Sequence, residues 1–166
     1  KEFCGFEEIN QTDANGAKKQ YNFHQRGIFK GNLRQLQIND TSGNPYTKTE
    51  NTWGYTDANN VYTVRLNQEK NYTYDGAIAN PKITQTNYLY DTYNNILKIS
   101  EQGDTAVTGD ERFSYVDYTY NTALWILDKP RHTYLFGADD ASKLSEQWFY
   151  YDGHGATDDS PAKGDL

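Results

Sequence analysis

Methionine is missing from this chain altogether, cysteine occurs once, histidine three times and proline four times. A lone cysteine permits no internal disulfide, so nothing staples the fold covalently and the redox compartment stays open. Cys4, beside Gly5, reads as a small apolar filler near the chain start. Position 1 is lysine, which predicts a processed product or a piece of a longer polypeptide. The opening Lys1-Glu2-Phe3-Cys4 does not have the charged region and apolar core of a secretory leader, and no apolar run is long enough for a membrane-spanning helix. Basic tracts are absent as well, and the net charge is −7. A nucleic-acid surface is therefore excluded as a partner, because the aromatics lack the interleaved Lys and Arg that a phosphate backbone requires. An anionic membrane surface is disfavoured on the same ground.

Aliphatic residues are scarce too. Leu, Ile, Val and Phe total 29, about 17% of the chain, under the roughly 20% at which a charged sequence suggests disorder. What is there in their place is aromatic: 15 Tyr and 3 Trp bring the aromatic content to 15%. Disordered chains are poor in such residues, which bury large areas and pair across strands. The sequence therefore predicts a folded chain with a tyrosine-rich interior or inner surface. At 166 residues it is sized for one domain, and residues 1–166 are read as a single β-sheet unit.

The run Tyr88-Leu89-Tyr90-Asp91-Thr92-Tyr93-Asn94-Asn95-Ile96-Leu97-Lys98-Ile99 has the pattern of a hairpin: strand, polar turn, strand. Asn94-Asn95 can close the turn, because asparagine tolerates positive φ better than other non-glycine residues. The Tyr-Asp element recurs at Tyr74-Asp75-Gly76 and at Tyr151-Asp152-Gly153, so hairpins repeat along the chain. Asp13-Ala14-Asn15-Gly16, between two alternating stretches, is a two-residue hairpin signal centred on Asn15 and Gly16. Asn32–Ile38, Tyr46–Trp53, Val61–Leu66, Lys70–Tyr74, Ile83–Tyr90, Ile96–Ser100, Phe113–Tyr120, Thr133–Phe136 and Ser145–Tyr151 follow as strands. Glu101–Asp110 reads as a longer loop. Asn121–Asp128 alone admits a helical turn, stopped by Pro130, since Ala123–Leu127 does not alternate. Gly164-Asp165-Leu166 resembles the start of a further strand. The fold class expected is all-β: a curved, mainly antiparallel sheet of successive hairpins.

With these residues in view, the chain resembles the YD-repeat (RHS) region of insecticidal toxin-complex B components and their SpvB-like relatives. Tyr90-Asp91-x-x-Asn94-Asn95 matches the family's Tyr-Asp-x-x-Gly-Asn repeat, with Asn94 where glycine is usual. Gly5-Phe6, Asp13–Gly16, Phe23-His24-Gln25 and Lys30-Gly31-Asn32-Leu33 are similar to the segment that opens this region. Gly109–Arg112, Trp125–Leu127, Tyr150–Gly153 and Lys163–Leu166 follow in the same order. The resemblance implies a ribbon of antiparallel strands that spirals into a hollow shell around a toxic C-terminal polypeptide. It implies that the partners are the rest of the YD-repeat shell, the enclosed toxin and, through the parent protein, a translocation channel. It also implies a secreted, extracellular bacterial protein. The family's self-cleaving protease follows an Asp-Pro motif that this chain does not contain, so that activity is not carried over.

No catalytic residue, cofactor or metal is expected. His24, His132 and His154 lie far apart and in no catalytic motif, so exposed or strand-pairing histidine is the default. Asp152-Gly153-His154-Gly155 with Asp158-Asp159 matches no zinc or calcium-loop spacing and reads as a solvated turn. The residues expected to matter are structural: Tyr90, Asp91, Asn94 and Asn95, Asn15 and Gly16, Tyr74 and Asp75, and Tyr151, Asp152 and Gly153. The alternative function is a carbohydrate-binding or adhesin module, with Trp53, Trp125, Trp148 and exposed tyrosines stacking on sugar rings.

Overall fold

A computed structural model describes residues 5–74, 78–155 and 160–166. Among the described residues the regular structure is ten strands and one 3-10 turn at Gly27–Phe29. The strands are β1 (Glu8–Thr12), β2 (Lys18–Phe23), β3 (Leu33–Asn39), β4 (Pro45–Ala58) and β5 (Val61–Thr73), then β6 (Lys82–Tyr90), β7 (Ile96–Asp104), β8 (Arg112–Asn121), β9 (Ile126–Phe136) and β10 (Lys143–Trp148). Every register described is antiparallel and joins strands adjacent in sequence. The chain is all-β and built hairpin after hairpin, as its alternation predicts. It divides into two compact units, Lys1–Asn87 with Gly103–Val107, and Tyr88–Gln102 with Thr108–Leu166.

In the first unit polar side chains face each other across β2 to β6. The registers place Gln20, Gln37, Lys48, Tyr72 and Ile83 side by side. Across strands, Gln68 Nε2 donates to Asn87 Oδ1 at 2.9 Å and Thr49 Oγ1 to Asn71 Oδ1 at 2.7 Å, and along β3 Gln37 Nε2 donates to Asn39 Oδ1 at 2.8 Å. Such pairs stabilise a sheet with little oil in it. They also explain one difference from the sequence reading. Val61–Leu66 and Lys70–Tyr74 are parts of one strand, β5, paired along most of its length with β4. The polar Asn67-Gln68-Glu69 run lacks the apolar alternation that marks a strand, yet polar residues hold both faces here.

A bulge lies inside that pairing: Thr52 faces Gln68 and Trp53 faces Leu66, leaving Asn67 over. The Asn67 amide lies on Gly54, where a methyl group would fall 2.2 Å from Nδ2. Glycine admits that approach, and a larger residue at position 54 would displace the Asn67 side chain.

The second unit holds the described residues with the least exposure. Tyr151 is 7% exposed, Thr119 and His132 are buried, and Pro161 is fully covered. Tyr151 OH donates to Pro130 O at 2.8 Å and Asn121 Nδ2 to Pro161 O at 2.9 Å. The helical turn expected over Asn121–Asp128 is not formed. Thr122–Trp125 is the turn of the β8–β9 hairpin, Trp125 has φ 59°, and the apolar Ile126 and Leu127 already belong to β9. Pro130 does not end an element: it lies within β9 opposite Tyr118, where Arg131 is the extra residue of a bulge. A bulge is one of the few places a strand tolerates proline. β7 runs on to Asp104, so the loop expected from Glu101 begins only at Thr105. Gly164–Leu166 forms no strand, although Asp165 O accepts the Asp152 N–H at 2.8 Å.

Candidate functional site: aspartate turns and an aromatic strip

Asp91 organises the turn between β6 and β7. Its N–H donates to Asn95 O at 3.0 Å, closing a five-residue loop. Its Oδ1 accepts the N–H groups of Tyr93 and Asn95, both at 2.8 Å. Its Oδ2 accepts Asn95 Nδ2 and the Tyr120 hydroxyl, again both at 2.8 Å. Asn95 Nδ2 also donates to Leu127 O at 2.6 Å, tying the turn to β9. Asn94 takes φ 77°, the left-handed step that glycine or asparagine supplies most easily. Burial works to raise the Asp91 pKa, and the hydrogen bonds from Asn95, Tyr120 and Tyr93 outweigh it and hold it low. Burial and the same carboxylate push the Tyr120 hydroxyl well above the usual tyrosine range.

The same loop is built twice in the first unit. Asp13 N–H donates to Ala17 O at 3.0 Å, and Asp13 Oδ1 accepts Asn15 N and Ala17 N. Asp40 N–H donates to Asn44 O at 2.9 Å, and Asp40 Oδ1 accepts Ser42 N and Asn44 N. Gly16 at φ 90° and Gly43 at φ 87° fill the position of Asn94. The shared pattern is an aspartate, two free positions, a glycine or asparagine, and a closing residue. Asn15 therefore does not form a two-residue turn with Gly16: only Gly16 is left-handed, and the loop is anchored by Asp13. No Tyr-Asp element marks the Asp40 copy, which follows Asn39. A turn with two positive-φ asparagines does exist elsewhere, at Asn59 (φ 55°) and Asn60 (φ 66°) between β4 and β5.

Among the other expected turn residues, Tyr74 N–H donates to Tyr46 O at 3.1 Å, and Asp75 lies outside the described residues. Tyr90 pairs with Tyr88, ring centroids 6.5 Å apart. Asp152 (φ 55°) and Gly153 (φ 74°) make a tight turn after the buried Tyr151. The Asp152 carboxylate accepts the backbone N–H groups of Ala162, Lys163, Gly164 and Asp165. Those donors, Lys163 foremost, hold it well below the usual carboxylate range. Its oxygens are thus occupied by the chain's own backbone, and Asp158 and Asp159 lie outside the described residues. Among the described residues no three His, Cys, Asp or Glu side chains come together as metal ligands.

One face of β7–β10 carries an aromatic strip. Trp148 stacks on His132 at 3.6 Å, His132 meets Tyr134 at 4.6 Å, and Tyr134 stacks on Tyr115 at 5.0 Å. Phe136 sets its edge against both tyrosines. Lys98 lies over Phe113 and Tyr115, each 4.7 Å away, and its ammonium reaches Asp140 at 2.7 Å. The Tyr115 hydroxyl donates to the same carboxylate at 2.7 Å. His132 Nε2 is 3.1 Å from Glu146 and Nδ1 is 3.6 Å from Asp117. Two carboxylates orient the imidazole, and neither ring nitrogen bonds a serine, threonine or cysteine among the described residues. The arrangement suits cross-strand cohesion. The importance of His132 was not visible in the sequence, because its stacking partner and both carboxylates come from other strands.

No protein-family profile matches the chain, and no curated protein matches it in sequence. Solved structures do. The crystal structure of TcdB2-TccC3-TEV is similar at TM-score 0.59 and 14% identity, over 87% of this chain and 12% of that one. A Photorhabdus luminescens Tc holotoxin pore, carrying a point mutation in TccC3, is similar at TM-score 0.63 and 13% identity, over 95% of this chain and 12% of that one. The chain has a Tc-toxin-like fold and spans about an eighth of either match.

Proposed function

We propose that this chain is a non-enzymatic wall segment of a YD-repeat (RHS) shell that encloses a toxic C-terminal polypeptide in a secreted bacterial toxin complex. The observation that carries this reading is the near lack of a core. Hairpins follow one another in strict order, and only Tyr151, Thr119, His132 and Pro161 are buried among the described residues. Units that cannot close a core alone are stabilised by stacking neighbours, the logic of repeat architectures. The fold likeness to Tc-toxin structures supports the same reading, as does the aspartate turn built at Asp13, Asp40 and Asp91. The Tyr-Asp turns act here as structural fasteners. Further repeats continue the wall, the toxic polypeptide lies behind it, and a translocation channel is reached through the parent protein.

The test is mass spectrometry of the native polypeptide, followed by limited proteolysis of that parent. A parent several times longer, with more Tyr-Asp repeats and a C-terminal piece that resists protease until the wall is opened, is the expected result. A native chain of this length would overturn encapsulation. Glycan-array binding then tests the alternative, carbohydrate recognition. That reading is favoured by Trp125, 79% exposed on the β8–β9 turn. The indole of Trp53, by contrast, is engaged by Leu33 O at 2.8 Å, and Trp148 lies against His132.

A further inference from the structure

The chain has five arginines, and two of them, Arg26 and Arg34, line one recess of about 490 Å³ with Glu7, Phe23, His24 and Gln25. Three features build this recess. First, the loop from Gln25 to Gly31 is clamped at its base: His24 N–H donates to Asn32 O at 2.9 Å and Gly31 N–H to His24 O at 2.8 Å. Gln25 Nε2 reaches across to Phe6 O at 2.8 Å, which fixes the loop against the segment that leads into β1. Second, Arg34 is the extra residue of a bulge between β2 and β3, since Asn22 faces Gln35 and Phe23 faces Leu33. A bulge re-aims the side chain it carries, and Arg34 lines the recess together with Arg26. Third, the His24 ring packs on Phe29 at 5.7 Å, and Phe29 in turn on Tyr55 at 6.0 Å, so the imidazole that lines the recess is held in place.

Neither guanidinium has an ion-pair or hydrogen-bond partner among the described residues. The Glu7 carboxylate in the same lining pairs with neither, although its backbone carbonyl accepts the Phe23 N–H at 2.8 Å. Both side chains are exposed, and in a chain of net charge −7 two unpaired arginines lining one recess are the exception. The planar fork of arginine donates two parallel hydrogen bonds to tetrahedral or planar oxyanions, which an ammonium does not.

We propose that this recess is a binding site for a dianionic oxyanion of the phosphate or sulfate type, held by Arg26 and Arg34, with His24 as a further donor at the rim. Glu7 opposes the ligand and tunes the site toward weak, exchangeable binding. The site belongs to the first unit and is independent of encapsulation.

The experiment is a titration of the full chain with inorganic phosphate and with sulfate, read by nitrogen and proton shifts of the arginine Nε–H and His24 ring signals. Chloride at matched ionic strength is the reference. Saturable shifts confined to Arg26, Arg34 and His24 are expected. Arg26→Gln and Arg34→Gln should each weaken binding about tenfold, whereas Glu7→Gln should tighten it. Arg112→Gln, which removes a cation in the other unit, should leave it unchanged. Shifts that grow linearly, or that fall equally in R112Q, would overturn the site and leave general ionic screening. Binding of one of the two oxyanions without the other identifies which of them the site takes. Dispersed amide spectra of each variant establish that a lost response is not lost folding.

Discussion

Asp91 accepts four hydrogen bonds with two oxygens, from Tyr93 N, Asn95 N, Asn95 Nδ2 and Tyr120 OH. Removing it leaves several donors without a partner at once, and a hydrogen bond to a charged group contributes about 1.5–3 kcal/mol. Asp91→Ala should therefore lower stability by about 2–4 kcal/mol in urea unfolding. Asp91→Asn keeps an acceptor for the backbone N–H groups and should cost less. Tyr72 is the corresponding case on the first unit's polar face. Its hydroxyl donates to Glu50 at 2.6 Å, and that bond, with burial, pushes its pKa up to about 12. A tyrosine raised in the folded state contributes stability that is complete below its unfolded value, near 10, and is lost as pH rises through the folded one. Absorbance titration should show Tyr72 ionising above the usual tyrosine range, with stability falling between about pH 10 and pH 12. Tyr72→Phe should remove that alkaline step.

The turns show best what a sequence discloses about its elements. Strands were legible wherever tyrosine, threonine and valine alternate, as in Phe113–Tyr120, because period-two patterning is what a half-exposed strand imposes. The Asp91 turn was legible from its asparagines. Its anchor was not, since Tyr120 and Leu127 reach it from strands 29 and 32 residues further on. The bulges at Asn67, Arg34 and Arg131 left no mark either, because an unpaired residue has no composition of its own. The β8–β9 turn misled for a physical reason. Ala123–Leu127 is apolar, and apolar runs do not suggest turns, yet Trp125 takes φ 59° on the surface. A bulky residue held there costs about 1 kcal/mol. Trp125→Gly should raise the thermal midpoint of this chain by a few degrees, and a fall instead would mean that the indole packs on something. Acid should act on the turns held by Asp40, Asp91 and Asp139. Ser142 and Ala141 hold Asp139 down at about 2, and Asp40 and Asp91 are lowered with it. Carboxylates lowered in the fold contribute stability above their unfolded value, near 4, and lose it as pH falls through the folded one. Circular dichroism should thus show these hairpins intact at pH 5 and opening between about pH 4 and pH 2.

The molecule as a whole is short of buried oil. Among the described residues only Tyr151, Thr119, His132 and Pro161 are buried. Large hydrophobic side chains stay in contact with water across both units, among them Phe6, Tyr46, Tyr62, Leu89 and Leu144. Cohesion comes from ladders, from the Trp148–His132–Tyr134–Tyr115 stack and from aspartate fasteners. The half-buried faces described above therefore set the thermal behaviour of the chain. Heat capacity on unfolding is dominated by newly wetted apolar surface, and little is newly wetted here. Scanning calorimetry should give an increment below the roughly 12–15 cal/mol/K per residue of ordinary globular proteins. The stability curve of this chain is then a shallow one, changing slowly with temperature and receding far from cold denaturation.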